Sequence, residues 1–527
     1  MERTVQGGAR MKRRIWVFGA ISLGLFLSAF LREAQAFCID EQKTLRVSAK
    51  LQTRATFRLQ DHEGYTYARA TAGDLVQWRN LALLEINHDL RELTNTLGLL
   101  WPLKKLQIES RYHLVGRFMY DALYNVGSDK FKSLREQDPE NIDSFKQAYD
   151  LWECYFDFIR GPWFLRVGRQ NIAWGETDIF RLLDGINPLD NTFGGPFEDL
   201  DDRRIPLWML RGSYNFGVLG PIDSLTLEGF WVPGNWDVRV SPLAPYGTAY
   251  SPPLPLLPPP LQQRMVYPDK VMSNSRWGVR LMAYLWGMNL SVAHYKTFMD
   301  VPTPVFAVEP DPPPLGTTYQ ELHFDDIQIT GGSVNFWESM TDTVIRAEVA
   351  WFWSEAVLIP DVNIPIQPLP ISIPGVPGIP QNGEIPEKDF LRFMIGLDKN
   401  VWIRPLNKTQ TFLVSLQYFG QWVPDYDARM RQAVPMYPEP TEFPAVREVE
   451  GTITMLMNSM YMSGKLMPQM VVGYDVRGAW LIQPSVNLIQ EPFRFMIQYS
   501  AIAGNFTGFG FFRDRDQISF IFSYLLN

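Results

Sequence analysis

Residues 45–60 read LRVSAKLQTRATFRLQ, and their alternation decides the fold. Leu45, Val47, Ala49, Leu51, Ala55, Phe57 and Leu59 fall on one parity. Arg46, Ser48, Lys50, Gln52, Arg54, Thr56, Arg58 and Gln60 fall on the other. Successive side chains of a strand point to opposite faces, so one face here is apolar and the other polar and basic. A soluble strand usually runs about 5–6 residues, whereas a tilted strand that crosses a bilayer needs about 9–11. This stretch has the length for the second.

The pattern recurs down the chain. Leu106, Ile108, Tyr112, Leu114, Phe118 and Tyr120 oppose Glu109, Arg111, His113, Arg117 and Asp121. Trp277, Val279, Leu281, Ala283 and Leu285 oppose Arg276 and Arg280. Ile345, Ala347, Val349, Trp351 and Trp353 oppose Arg346 and Glu348. Phe412, Val414, Leu416 and Tyr418 oppose Ser415 and Gln417, and Ile518, Phe520, Phe522, Tyr524 and Leu526 close the chain on one parity. Aromatics at both ends of long strands are expected at the two interfaces of a membrane.

About 18 such segments can be counted, near 45–60, 74–89, 105–122, 146–160, 162–174, 205–217, 222–234, 274–286, 288–299, 324–338, 342–357, 388–402, 409–424, 449–462, 465–476, 478–490, 493–503 and 514–526. The reading is an all-β chain forming a transmembrane antiparallel β-barrel, with 16 strands as the neighbouring even count. If the first strand rises from the periplasm, the short links Gly161-Pro162, Gly217–Pro221, Gly287, Glu338–Asp342, Arg404–Lys408 and Ser463-Gly464 fall on the periplasmic side. The long stretches 123–145, 175–204, 235–273, 300–323, 358–387 and 425–448 become extracellular loops, and 90–104, with room for a short helix, is the exception.

Composition agrees. Aromatics are 14% of the 527 residues and charged residues only 20%, the mixture expected where each strand shows one face to lipid and one to water. The net charge of −8 argues against a general nucleic-acid binder. No segment beyond the N-terminus has the 18 or so apolar residues of a helical span.

Lys12, Arg13 and Arg14 precede the apolar run Ile15–Leu31, and Ala34-Gln35-Ala36 offers small residues for a signal peptidase. Residues 1–36 are therefore expected to be a cleaved secretory signal, leaving 37–527 as the barrel domain. Cys38 does not make a lipobox, because Phe37 precedes it. Cys38 and Cys154 are the only cysteines. Trp152, Cys154, Phe156 and Phe158 share a lipid-facing parity, so two free thiols are expected rather than a disulfide.

Gly168-Arg169-Gln170, then Trp174-Gly175-Glu176, then Ile186-Asn187-Pro188-Leu189-Asp190 resemble the signature of the domain-of-unknown-function 1302 family (DUF1302). The tail Arg513-Asp514-Arg515-Asp516 before a last alternating strand is also similar. The resemblance implies a Gram-negative outer-membrane barrel and no particular substrate. Gly168-Arg169-Gln170 lacks the frame of a phosphate-binding loop.

The inward face is basic. Arg46, Lys50, Arg54 and Arg58 form a row, joined by Arg111, Arg117, Arg166, Arg276, Arg280 and Arg346. These either draw anionic solutes into the lumen or hydrate it and pair with Glu109, Asp121 and Glu348. The segment 175–204 carries Glu176, Asp178, Asp184, Asp190, Glu198, Asp199, Asp201 and Asp202 against Arg181, Arg203 and Arg204, a net of −5. Opposite charges attract strongly in a narrow, poorly hydrated lumen, so this loop is expected to fold inward and constrict the bore, although charge alone does not offset the cost of ordering it. Calcium among its acids is the weaker alternative, since no EF-hand spacing occurs.

The loops Ser251–Leu261, Val301–Pro314 and Pro360–Pro380 are rich in proline and apolar residues. Such stretches favour polyproline-like backbone without ladder hydrogen bonds. They either pack on one another as a rigid cap or offer apolar surface to a solute or partner.

No catalytic set, cofactor motif or metal signature stands out. His113 beside Arg111 and Glu109 reads as a hydrogen-bonded lumenal histidine rather than a proton-transfer site. Three functions remain in order: an outer-membrane channel or uptake protein for a small hydrophobic or amphipathic solute, a barrel scaffold holding a periplasmic or extracellular protein partner, and an outer-membrane enzyme last.

Overall fold

The computed structural model describes residues 37–38, 44–61, 70–91, 105–192, 197–245, 247–251, 262–309, 317–367, 379–432 and 444–526. The expected signal segment, the connection 92–104 and the prolines of 252–261 lie outside the described residues.

The barrel has 18 strands. They are β1 (Leu45–Arg58), β2 (Leu75–Asp89), β3 (Glu109–Asp121), β4 (Gln147–Arg160), β5 (Trp163–Gln170), β6 (Leu207–Leu219), β7 (Ile222–Val232), β8 (Arg276–Leu285) and β9 (Met288–Phe298). There follow β10 (Asp326–Glu338), β11 (Thr343–Ala356), β12 (Glu387–Val401), β13 (Phe412–Trp422), β14 (Val449–Ser459), β15 (Leu466–Asp475), β16 (Ala479–Gln490), β17 (Phe493–Gly504) and β18 (Gln517–Leu526). Each pairs antiparallel with the next, and β18 closes on β1 from Ala49↔Leu526 to Arg58↔Gln517. Closure leaves no free sheet edge, which a strand-built membrane protein requires.

One end carries the short turns 161–162, 220–221, 286–287, 339–342, 402–411, 460–465 and 491–492. In the Trp286-Gly287 turn both residues have positive φ, +52° and +78°, the geometry that matches the twist of a two-residue hairpin. The other end carries the long loops, among them 171–206, 233–275 and 299–325.

The outer face is apolar and uncovered. Leu281, Val292, Val349, Ile395 and Leu416 are 42–64% exposed at mid-wall. Trp208, Trp231, Trp277, Trp353, Trp422 and Trp480 ring the long-loop end, and Trp163, Trp286, Trp337 and Trp402 the short-turn end, all exposed. The nine steps from Trp277 to Trp286 rise about 23 Å along a strand tilted by about 40°, close to the apolar height of such barrels. A patch this wide is untenable in water, so the solvent outside is lipid.

Several expectations need correction. β3 begins at Glu109, leaving Leu106 and Ile108 outside it, and β5 ends at Gln170 rather than 174. β6 runs past Gly217 to Leu219 through two register shifts, so the turn is Gly220-Pro221. Trp152 does not face lipid. The register of β3 and β4 shifts between Val115 and Gly116, leaving Trp152 unpaired in the ladder, and its ring lies under the lumenal Arg117 guanidinium at 3.3 Å. A bulge inserts one residue and reverses the parity beyond it. Cys154 carries a free thiol; the side chain of Cys38 lies outside the described residues.

The stretch Val301–Pro314 also differs. Thr303–Glu309 is a ladder strand, antiparallel to Thr317–His323, which in turn pairs parallel with Gln262–Val266. Pro304 is accommodated near the start of an edge strand, where a missing N–H costs no bond. Val305, Phe306, Leu322 and Phe324 are buried in this cap, whereas Val301 and Ile366 lie exposed, so part of the described apolar surface of these loops packs inward and part lies open.

Candidate functional site

The chain between β5 and β6 turns into the bore, and its apolar side chains supply what charge alone lacked. Ile172, Trp174, Leu183 and Ile186 are at most 1% exposed and cluster with Tyr295, Ile329, Ala350 and Met394 of the far wall. Each such buried side chain stabilises the inward fold by about 1.5–3 kcal/mol. Trp174 Nε1 donates to Glu228 Oε1 on β7 at 2.7 Å, and its ring meets Phe230 and Tyr295 edge-on.

Polar fastenings fix both halves of the loop. On β11, Glu348 accepts the main-chain N–H groups of Glu176 and Leu183, the latter at 3.2 Å. Arg346 donates to both oxygens of Asp178, at 2.9 and 2.7 Å, and also reaches Asp398 at 2.8 Å. Ser415 and Gln417 of β13 complete the cage, donating to Asp178 at 3.0 and 2.9 Å. The far half reaches the opposite wall, where Glu198 takes Arg54 at 2.9 Å and Arg79 at 2.7 Å. Burial pushes the Glu198 carboxyl up, but Arg54 and Arg79 override it and hold it at about 2. Asp184, bound to Arg204, is pushed up by burial against the pull of Arg204 and Arg181.

A second clamp joins the loop's two ends. Asn187 is fully buried; its Oδ1 accepts from Ile172 N–H at 2.9 Å. Its Nδ2 donates to the carbonyls of Gln170 and Ile205 at 3.2 and 2.8 Å. Ile205 N–H donates to the Pro188 carbonyl at 2.9 Å. Gln170 Nε2 donates to the Met209 carbonyl, and Arg169 binds Asp150 at 2.5 and 3.0 Å. At Gly168, with φ +138°, a Cβ would lie 2.1 Å from the Cys154 carbonyl oxygen, so only glycine fits.

The sequence model of a family described as "Protein of unknown function (DUF1302)" matches residues 17–526. The chain belongs to the DUF1302 family.

No curated protein matches it. Solved structures similar to it include Pseudomonas aeruginosa OccK3 (OpdO), at 10% identity and TM-score 0.45 over 91% of this chain and 95% of that one. Acinetobacter baumannii OccAB1 is 10% identical, with TM-score 0.46 over 94% and 99%. P. aeruginosa OccK2 (OpdF) in complex with glucuronate is 9% identical, with TM-score 0.43 over 93% and 99%. Likenesses of this degree carry no functional weight.

In this DUF1302 chain the signature residues Gly168, Arg169, Gln170, Trp174, Gly175, Glu176, Asn187 and Pro188 thus sit where the loop leaves the wall, crosses the bore and is tied back. The lumenal basic residues divide. Arg54 and Arg346 hold the loop, Lys50 lies 4.0 Å from Asp202, and Arg46 is exposed at the short-turn mouth. Arg58 donates to the Ala249 carbonyl at 3.3 Å, so the described stretch 247–251 reaches the β1 wall as well. Arg111 stands between Asp89 and Glu109 at 3.5 and 3.8 Å. Arg166 pairs with Asp157 at 2.6 Å over the Tyr155 ring. Arg276 donates to the Arg239 carbonyl and lies over Phe298, while Arg280 is 6.0 Å from the Trp174 ring.

Two expected pairings fail. Glu348 and Asp121 accept main-chain N–H groups, Asp121 those of Trp78 and Leu123 at 3.0 Å, instead of arginines. Arg79, Glu228 and Asp398 carry no local signal in the sequence, because Arg79 and Glu228 act on the inward loop and Asp398 on Arg346 of the neighbouring strand. His113 lies 2.6 Å from Asn87 and 3.3 Å from Glu153, stacked on Tyr155. Among the described residues no three His, Cys, Asp or Glu side chains are grouped to hold a metal ion; Asp201 and Glu198 are engaged by arginines.

Proposed function

We propose that this chain is an outer-membrane channel that lets a small solute diffuse past a constriction built by residues 171–206. The observation that carries the reading is the fastening of one acidic loop to opposite walls, through Asp178 to Arg346 and through Glu198 to Arg54 and Arg79. A loop spent only on capping the barrel has no need of anchors inside it. A narrowed, charged passage raises the local concentration of a complementary solute and discriminates by size. An amphipathic solute suits the wall of β3–β5, where Arg117 lies over Trp152 and Arg166 over Tyr155, offering apolar faces beside cations.

The test is solute flux into liposomes holding only the full chain. Entry of small amphipathic acids faster than of sugars of equal size supports the reading. A barrel that passes nothing until a partner protein is removed supports the scaffold instead.

A further inference from the structure

The outer wall carries a groove that the passage through the bore does not use. It lies between β4 and β8 and has a volume of about 610 Å³, within the roughly 300–1,000 Å³ typical of ligand sites. Register explains it. Leu165, Gly212, Gly229 and Val279 are direct cross-strand neighbours on β5, β6, β7 and β8. The row below reads Trp163, Tyr214, Leu227 and Leu281. Two adjacent glycines therefore remove two side chains from the middle of a continuous apolar face.

The barrel's own packing does not demand them. Neither glycine has a positive φ. A Cβ on Gly212 would meet nothing nearer than 3.6 Å, and one on Gly229 nothing nearer than 3.4 Å. The depression is space left open towards lipid.

Its charge selects the occupant. Arg160 ends β4 beside the short turn, pairs in register with Trp163 and lines the groove. It is exposed and makes no ion pair among the described residues. An outward cation at the membrane border, with an apolar trough running from it towards mid-wall, matches a phosphate joined to an acyl chain. We propose that the groove binds one phospholipid of the short-turn leaflet, its acyl chain over Gly212 and Gly229 and its phosphate on Arg160.

The experiment is native mass spectrometry of the full chain extracted from phosphatidylethanolamine–phosphatidylglycerol vesicles. Gly212→Phe, which fills the trough, and Arg160→Gln, which removes the cation, are compared with the wild type. Heat-modifiable gel migration reports folding independently. The wild type should keep one phospholipid through detergent exchange. Arg160→Gln should lower the retained fraction about fivefold, the weight of one arginine near a membrane surface, and Gly212→Phe by about tenfold or more. Equal retention by wild type and Arg160→Gln overturns the proposal. So does a wild-type dimer that Gly212→Phe converts to monomer, since a second copy would then cover the groove.

Discussion

Arg54 and Arg79 stand directly opposite each other on β1 and β2, and the carboxylate of Glu198 bridges them. Like charges placed opposite on neighbouring strands repel. The wall is therefore built to need an anion at that point, and the loop brings one.

Removing that anion should release the loop. In Glu198→Gln the two buried guanidinium groups lose the carboxylate that bridges them, a change that costs about 3–5 kcal/mol when a buried pair is broken. The barrel should still show heat-modifiable migration, while its single-channel conductance rises and fluctuates. A quiet, wild-type conductance would mean that Glu198 does not hold the constriction.

Acid should imitate that variant. The Glu198 carboxyl is lowered from 4.5 to about 2. A depressed carboxylate lends its stabilisation fully above its unfolded value and loses it as pH falls through the folded one. Conductance of the wild type should stay level down to about pH 4.5 and climb towards about pH 2. Glu198→Gln should be high at neutral pH and respond little in that window. A wild-type transition centred near neutrality would point to a different group.

Asn187 is the clamp at the loop's root. Asn187→Ala leaves one N–H and two carbonyls inside the protein without their partner, at about 1–3 kcal/mol for each group left unsatisfied. Limited proteolysis should then cut within 171–206 at protease levels that spare the wild type. Equal resistance would show that the apolar cluster around Trp174 and Leu183 suffices.

The two faces of β8 should respond in opposite ways. Leu281 lies between the tryptophan rings and faces lipid, so Leu281→Arg should cost about 2–4 kcal/mol in reversible folding into vesicles. Arg280→Gln, on the lumenal face, should cost less. Equal losses would count against the register.

What could be read in the chain, and what could not, follows range. Alternation in β1 is local, so Arg54 and Arg58 could be turned inward and Ala55 and Phe57 outward from neighbouring residues alone. The inward loop was legible from charge, because eight acids in 175–204 meet a basic wall. Its fastening was not. Glu198 and Arg54 are 144 residues apart, and Asp178 and Arg346 168, and only barrel closure brings them together. The reversal at Trp152 arises because β3 supplies no partner for it, and the open trough exists because register sets Gly212 beside Gly229. Neither pairing leaves a mark in its own strand.

The central claim is that residues 171–206 narrow the bore, and single-channel conductance of a variant lacking residues 183–200 tests it most directly. With loop 233–275 intact and the barrel correctly folded, the account predicts a larger conductance and weaker ion selectivity than the wild type. Unchanged conductance and selectivity would contradict it.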